Sequence, residues 1–210
     1  MVTRRTPLGQ DSEPPRAQYH HGDLRAHLIE TVRELVELHG PEGFSVAEAA
    51  RRAGVSSAAP YKHFKDRPEI LRGVAAAAME RLRLAMEQGA AAHPVGSLEA
   101  VAAVGLAYVT FAKSEPGVFR LVFGLNEGHE EDSELAGHGD ACFGSVVRVT
   151  AERLKLDPVH DDVRRCAYLL WSFVHGHSFL TIDGKITAKC HVEDDWAYLM
   201  DVAGAVLGRG

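Results

Sequence analysis

Residues 45–66 contain closely spaced signals for the start and the end of short helices. This spacing restricts the fold more than any other feature of the chain. Ser45 and Glu48 fit a capping box, in which the hydroxyl and the carboxylate satisfy free N–H groups of the first helical turn. Gly54 can adopt a positive φ, which is typical of a sharp helix end. Asp66 precedes an Arg-Pro-Glu segment, the pattern of an acidic cap with proline in the first turn. The segment therefore predicts short helices separated by tight turns.

A second short helix is predicted between the capping box and Asp66. Ser57 is its best cap candidate, because Pro60 then falls in the first turn, where proline loses no hydrogen bond. This helix is expected to continue to about Phe64. An amphipathic helix over residues 24–39 precedes the pair, and three such helices form a helix-turn-helix scaffold. In that scaffold the second short helix enters the major groove of DNA.

The rest of the chain predicts helices and loops only. Helical periodicity covers residues 67–88, 98–112, 118–123, 140–155, 161–182 and 193–207. Residues 124–138 are rich in Gly, Glu and His and predict a loop. The expected fold is all-α with about nine helices, a three-helix N-terminal domain and a C-terminal helical bundle. The predicted divisions are a flexible arm at 1–18, the helix-turn-helix domain at 19–66, a connecting helix at 67–88 and the second domain at 89–210.

Charge is distributed unevenly along the 210 residues. The formal net charge is −6, which argues against a protein that coats nucleic acid without specificity. Residues 45–67, however, hold five basic and two acidic side chains, a local balance of +3. Tyr61, Lys62 and Lys65 lie where they can reach phosphates, contacts that position a protein on DNA without reading its sequence. The pattern favours a small, localised DNA footprint on an otherwise acidic protein.

Residues 19–72 resemble the DNA-binding domain of the TetR family of transcriptional regulators. The resemblance is carried by Phe44-Ser45-Val46, by the run Ala49-Ala50-Arg51-Arg52-Ala53-Gly54-Val55-Ser56, by the run from Tyr61 to Arg67, and by Ile70-Leu71. It implies a DNA-binding set of Ser45, Ser56, Ser57, Ala58, Ala59, Tyr61, Lys62, His63 and Lys65. Many family members have Gly-Thr/Ser-Leu/Ile where this chain has Ala58-Ala59-Pro60. Direct readout here would then rely on methyl contacts with thymine, on His63, on Tyr61 and on serine hydroxyls.

A second resemblance concerns the effector domain. Residues 19–25 and the segment from Trp171 to Gly176 are similar to a TetR subgroup with a Trp-…-His-Gly signature. The family resemblance implies a homodimer formed through about residues 161–182 and 193–208, a palindromic DNA operator and a small-molecule effector. It also implies a repressor that a small, largely apolar ligand releases from DNA.

Six side chains of the second domain are candidates for the wall of an apolar ligand pocket. They are Phe111, Phe119, Phe123, Trp171, His175 and Phe179. The alternative for the aromatic residues is an ordinary aromatic core. His175 lies one helical turn from Trp171 and one from Phe179, so it either lines the pocket or makes a core hydrogen bond.

Other classes of function find little support. The chain has no G-x-S-x-G or Walker motif, so an enzyme is not expected, nor a cofactor. His175 and His177 are two residues apart and point to different faces of a helix, and the other histidines lack a ligand spacing, so no metal site is expected. A helical sensor without an operator is the third class, and the basic patch argues against it. Three widely spaced cysteines suit a reducing cytoplasm.

The role of the N-terminal arginines is left open by the sequence. Arg4, Arg5 and Arg16 either form an arm that enters the minor groove or belong to a tail with no role. The longest uncharged stretch, residues 166–182, is shorter than the roughly 20 apolar residues of a membrane helix, so no membrane association is expected.

Overall fold

A computed structural model describes residues 24–124, 133–186, 192 and 194–208, and helices are its only regular elements. The eight α-helices are α1 (Leu24–His39), α2 (Val46–Arg52), α3 (Arg67–Ala91), α4 (Leu98–Ser114), α5 (Pro116–Gly124), α6 (Ser133–Leu154), α7 (Asp161–Ile182) and α8 (Asp195–Leu207). A short 3₁₀ helix spans Pro60–Lys62. The prediction of an all-α fold is confirmed. The predicted arm, the Tyr19–Arg25 motif up to residue 23 and most of the acidic loop lie outside the described residues.

The first unit packs α1, α2 and the start of α3 around a small apolar core. Leu28, Val32 and Leu35 of α1 meet Phe64 and Ile70 in this core, and each is buried. They recur along α1 at intervals of three and four residues, which places them on one face of the helix. The remaining faces of α1 are free to carry charged side chains.

Helix α3 belongs to both halves of the molecule. It begins after Asp66, whose side chain accepts a hydrogen bond from the backbone N–H of Glu69 at 2.8 Å, as the cap pattern predicted. Its first turns pack on α1, and its later turns pack on α4 and α6. Gly89 permits the close crossing of α3 and α4, because a Cβ there would lie 3.0 Å from the carbonyl oxygen of Ala103.

The second unit is a bundle of α4 to α8 against the later turns of α3. Helix α7 has the predicted bounds, whereas α6 begins at Ser133, inside the segment predicted to be a loop. The glycines of residues 133–139 lower the helical propensity of this segment, and tertiary packing overrides that preference. None of the described helices is long and apolar enough to cross a membrane.

Candidate DNA-binding surface and ligand cavity

Helix α2 begins with half of the predicted capping box. The hydroxyl of Ser45 accepts a hydrogen bond from the backbone N–H of Glu48 at 3.1 Å. The Glu48 carboxylate instead pairs with Arg52, one turn later, at 3.2 Å. Gly54, with φ of +70°, ends the helix as the sequence predicted. The result is a short, tightly ended helix that sets the direction of the next segment.

The predicted second helix from Ser57 to Phe64 is wrong. Only Pro60–Lys62 is helical, in the 3₁₀ form, and its cap position is Ala59, which makes no side-chain hydrogen bond. Pro60 stands at the first helical position, and Asp66 already caps α3, so only one short turn fits between them. The backbone bonds are mostly of the 3₁₀ type, from Ala59 N–H to the Ser56 oxygen at 2.9 Å and from His63 N–H to the Pro60 oxygen at 3.0 Å. Only the Phe64 N–H adds a bond of α-helical type here, to the Pro60 oxygen at 3.0 Å.

Two buried residues hold this segment, which we call the reading head (residues 56–65), against the first unit. Pro60 is buried and Phe64 is 2% exposed, and the Arg25 guanidinium lies 5.1 Å from the centre of the Phe64 ring. The side chains between and around these anchors therefore point outward. Tyr61 is 59% exposed and Lys62 is exposed as well.

The exposed members of the predicted DNA-binding set are Ser45, Ser56, Ser57, Ala58, Tyr61, Lys62 and Lys65, while Ala59 and His63 are half-buried. Lys62 and Lys65 form no ion pair with any residue that the structure describes. Arg67 is different, because it lies over the Phe44 ring at 4.7 Å and donates to the Pro41 carbonyl oxygen. Lys62 and Lys65 are thus the cations of the reading head that remain open to a polyanion.

A cavity of about 280 Å³ lies in the second unit between α3, α4, α5, α6 and α7. Its described lining is Met79, Leu82, Met86, Tyr108, Phe123, Gly139, Asp140, Cys142, Phe143, Val146 and Trp171. Apolar and aromatic side chains dominate, with a few polar groups, which is the usual composition of a small-molecule site. Of the six residues predicted from sequence, Phe123 and Trp171 lie on this wall.

The other four candidates lie behind the cavity in an aromatic cluster. Phe119 is fully buried, and its ring centre is 5.1 Å from that of Phe179. The His175 ring lies 4.7 Å from Phe123 and 5.0 Å from Phe179. Phe111 packs against Phe119 at 6.5 Å. These side chains support the wall from behind.

His175 makes a core hydrogen bond, one of the two alternatives that the sequence left open. Its Nδ1 lies 2.8 Å from the hydroxyl oxygen of Tyr108, which is itself on the cavity wall. Burial lowers the pKa of His175 and raises that of Tyr108 well above its usual range, so both stay neutral near pH 7. His175 therefore orients a residue of the wall.

Sequence reasoning missed Tyr108, Cys142 and the two thioethers of the cavity wall. Tyr108 carries a polar group within the uncharged run of α4, three residues before Phe111, and that position was the available signal. Cys142 donates to the carbonyl oxygen of Met79 at 3.2 Å, and burial raises the pKa of its thiol to about 11. Its pairing with α3 is a tertiary contact that the sequence does not display.

The two units are joined by charged contacts at the start of α5. The Glu115 carboxylate, just before that helix, lies 2.7 Å from Arg81 of α3 and 3.5 Å from Arg33 of α1. Glu37 of α1 accepts hydrogen bonds from the first backbone N–H groups of α5. The helix that carries Phe123 is thereby tied to the helix that supports the reading head.

Helix α7 carries an apolar stripe on its outer face. Tyr168, Leu169, Phe173 and Leu180 are all exposed there, at 42–59%. Large exposed apolar side chains that share one helical face mark an interaction surface more often than an ordinary solvated face.

Among the described residues, no group of three or more His, Cys, Asp or Glu side chains could hold a metal ion.

These features define a helix-turn-helix DNA-binding protein with a second, helical domain. Two family models match the chain: the bacterial regulatory proteins of the tetR family over residues 28–80, and the tetracyclin repressor-like C-terminal domain over residues 101–203. Together they cover most of the chain. The chain belongs to the TetR family of DNA-binding transcriptional regulators.

Solved structures share this fold over most of their length. A protein of unknown function from Rhodococcus sp. RHA1 is 25% identical, with 92% of this chain and 97% of that chain covered and a TM-score of 0.76. The TetR family regulator PfmR from Thermus thermophilus is 18% identical, with coverages of 86% and 96% and a TM-score of 0.63. FadR from Bacillus subtilis, in complex with stearoyl-CoA, is 15% identical, with coverages of 88% and 99% and a TM-score of 0.67. No curated protein sequence matches the chain.

Proposed function

We propose that this chain is a homodimeric, cytoplasmic repressor that binds a palindromic operator and is released by a small, largely apolar ligand. The observation that carries the proposal is that α3 serves both functional regions. The helix starts directly after the reading head, and its Met79, Leu82 and Met86 side chains line the cavity about 280 Å³ in volume. A molecule in the cavity therefore touches the helix that orients the head.

The exposed side chains of the reading head support operator binding. Lys62 and Lys65 would contact phosphates and fix the position of the head on the duplex. Ser57, Ala58 and half-buried His63 would face base edges, where a methyl group reads thymine and an imidazole or hydroxyl makes hydrogen bonds. Because Pro60–Lys62 forms a single 3₁₀ turn, the helical part of the surface that would face the DNA is only one short turn long.

The stripe on α7 supports a dimer. Leu169, Phe173 and Leu180 lie on one face of α7, and space is open beside Gly176 for a partner helix to approach closely. With α8, this face would form the dimer core over about residues 161–182 and 193–208. Two heads related by a twofold axis read half-sites about 34–36 Å apart, or a multiple of that distance.

Release would follow from a change in the spacing of the heads. A ligand that binds one spacing better than the other shifts the population toward it, by no more than its difference in affinity. The structural neighbour FadR in complex with stearoyl-CoA supports the idea that this fold accommodates small-molecule ligands. Trp171 and His175 meet at Tyr108 on the cavity side of α7, which supports placement in the Trp-…-His-Gly subgroup.

The test is fluorescence anisotropy with duplex DNA that flanks the gene of this protein. Saturable binding that weakens as salt rises is expected. Lys62→Ala should weaken binding to all sequences alike, whereas His63→Ala should change the sequence preference. Lys155→Asn, an exposed lysine of positive φ in the second unit, is the matched control and should bind normally. Affinity no higher than for random DNA would overturn the proposal.

A further inference from the structure

The polar groups on the cavity wall leave mainly hydrogen-bond acceptors free for a ligand. The Tyr108 hydroxyl lies on the same wall as Trp171, whose indole N–H can only donate. The hydroxyl oxygen lies 2.8 Å from Nδ1 of His175, and we assign the O–H as the donor of this bond. With the O–H used on His175, Tyr108 offers a ligand the lone pairs of its oxygen.

The other polar groups of the wall are acceptors too. The thiol of Cys142 uses its proton on the carbonyl oxygen of Met79, at 3.2 Å, so only its sulfur lone pairs remain. Asp140, an exposed residue of α6, adds an acidic side chain to the wall. The described lining contains no Lys, Arg or His.

Arg83, a cation that acts on the Cys142 thiol, is already paired with carboxylates. Arg83 donates to both carboxylate oxygens of Glu80, at 2.7 and 2.9 Å, and to Glu87 at 2.7 Å. The donors of this guanidinium are therefore already used by Glu80 and Glu87. An anion entering the cavity would meet the Asp140 carboxylate, with no described counter-charge on the wall.

We propose that the cavity selects small aromatic molecules that donate hydrogen bonds and are neutral or cationic, and that it rejects carboxylates. A volume of about 280 Å³ lies near the lower end of ligand pockets, roughly 300–1,000 Å³, so the ligand has one or two rings. Phe123, Phe143 and Trp171 would contact the ring faces, and the Met79 thioether adds sulfur contacts. A buried carboxylate without a partner pays a large desolvation cost. This inference rests on the proposed ligand-release function and adds the chemical class of the ligand.

Four probes with one ring system test the class. Binding of 2-naphthol, 2-(aminomethyl)naphthalene, 2-methoxynaphthalene and 2-naphthoate to the full chain is measured by calorimetry at pH 7. The naphthol and the ammonium compound should bind at least tenfold more tightly than the methyl ether and the carboxylate. Equal or tighter binding of 2-naphthoate overturns the inference, and so does the absence of binding by all four probes.

Two variants assign the selectivity to named groups. Tyr108→Phe should bring the affinity for 2-naphthol down to that for 2-methoxynaphthalene, and Asp140→Asn should remove the preference for the ammonium compound. Glu99→Gln removes an exposed carboxylate from the first turn of α4 and should change neither. Circular dichroism checks that each variant is folded, and an Asp140→Asn protein with unchanged ammonium preference contradicts the role of this carboxylate.

Operator anisotropy on the same samples separates the inference from the proposed function. Selective binding of 2-naphthol without loss of operator binding supports the ligand class and counts against the release mechanism. Release by 2-naphthoate in preference to 2-naphthol overturns the ligand class and leaves ligand-driven release standing.

Discussion

Glu37 and Val118 are 81 residues apart in sequence, and a carboxylate oxygen of Glu37 accepts a hydrogen bond from the backbone N–H of Val118 at 2.6 Å. The second oxygen accepts from the N–H of Gly117 at 3.1 Å. A side chain of α1 thus caps the N-terminus of α5, where unpaired N–H groups and the helix dipole favour an anion. Since Phe123 of α5 lines the cavity, this cap joins the cavity to the DNA-binding unit.

Removing the Glu37 carboxylate should destabilise the protein. Glu37→Ala is expected to lower the free energy of unfolding by about 1–2 kcal/mol, because two N–H groups lose a charged acceptor. Glu37→Gln should cost less, since its amide oxygen still accepts one bond. Urea denaturation measures both. Glu34→Ala, at an exposed position on the same helix, is the control, and an equal loss there would contradict the capping role.

The observed helix caps predict which capping side chains contribute to the stability of the protein. Ser45→Ala and Asp66→Ala should each lower the free energy of unfolding by about 1 kcal/mol, because each side chain accepts a hydrogen bond from a first-turn N–H. Ser57→Ala should change it by less than about 0.5 kcal/mol, since the 3₁₀ helix has no side-chain cap. The same denaturation series checks this. A loss of about 1 kcal/mol for Ser57→Ala would instead support the α-helix capped by Ser57 that the sequence predicted.

His175 should make stability depend on pH. Burial lowers its pKa in the folded protein below the unfolded value near 6.5, so the unfolded chain binds more protons in that window. The stability contributed by neutral His175 is therefore complete above about pH 6.5 and is lost as the pH falls through the folded pKa. His175→Gln, which keeps an acceptor for Tyr108, should flatten the thermal stability profile below about pH 6.5. The exposed His39→Gln should leave it unchanged.

The stripe on α7 should control assembly. Phe173→Glu places a charge in the middle of the exposed apolar face and should convert the dimer to a monomer at micromolar concentration, with loss of operator affinity. Val95→Glu, at an apolar position that is 82% exposed outside α7, should remain dimeric. Sedimentation velocity distinguishes the two outcomes. A wild-type protein that sediments as a monomer would refute the proposed interface.

Local sequence signals predicted the two ends of the reading head but not the helix inside it. Gly54 and Asp66 act where they were expected, because a positive φ and a side-chain cap involve only neighbouring residues. The error was to start the helix at Ser57, since it begins only at Pro60 and has room for a single 3₁₀ turn before Asp66 caps α3. That information was present in the sequence, but the N-cap pattern at Ser57 pointed the other way.

The cavity was predicted only in part. Phe123 and Trp171 line the cavity, as expected of aromatic residues in the second domain. Phe119, one helical turn before Phe123, and Phe179, two turns after Trp171, lie behind the wall. Helical spacing says which residues share a face of one helix. It does not say which of several faces borders a cavity, because that depends on how five helices pack.

The sequence by itself determined the helical class, the bounds of α7 and the caps of α2 and α3, since these depend on interactions within a few residues. Only the tertiary structure decided that His175 meets Tyr108, 67 residues away, and that Glu37 caps α5. Such pairs form when packing of apolar faces brings distant polar groups together in a buried setting. There an unpaired group is costly, so each must find its partner.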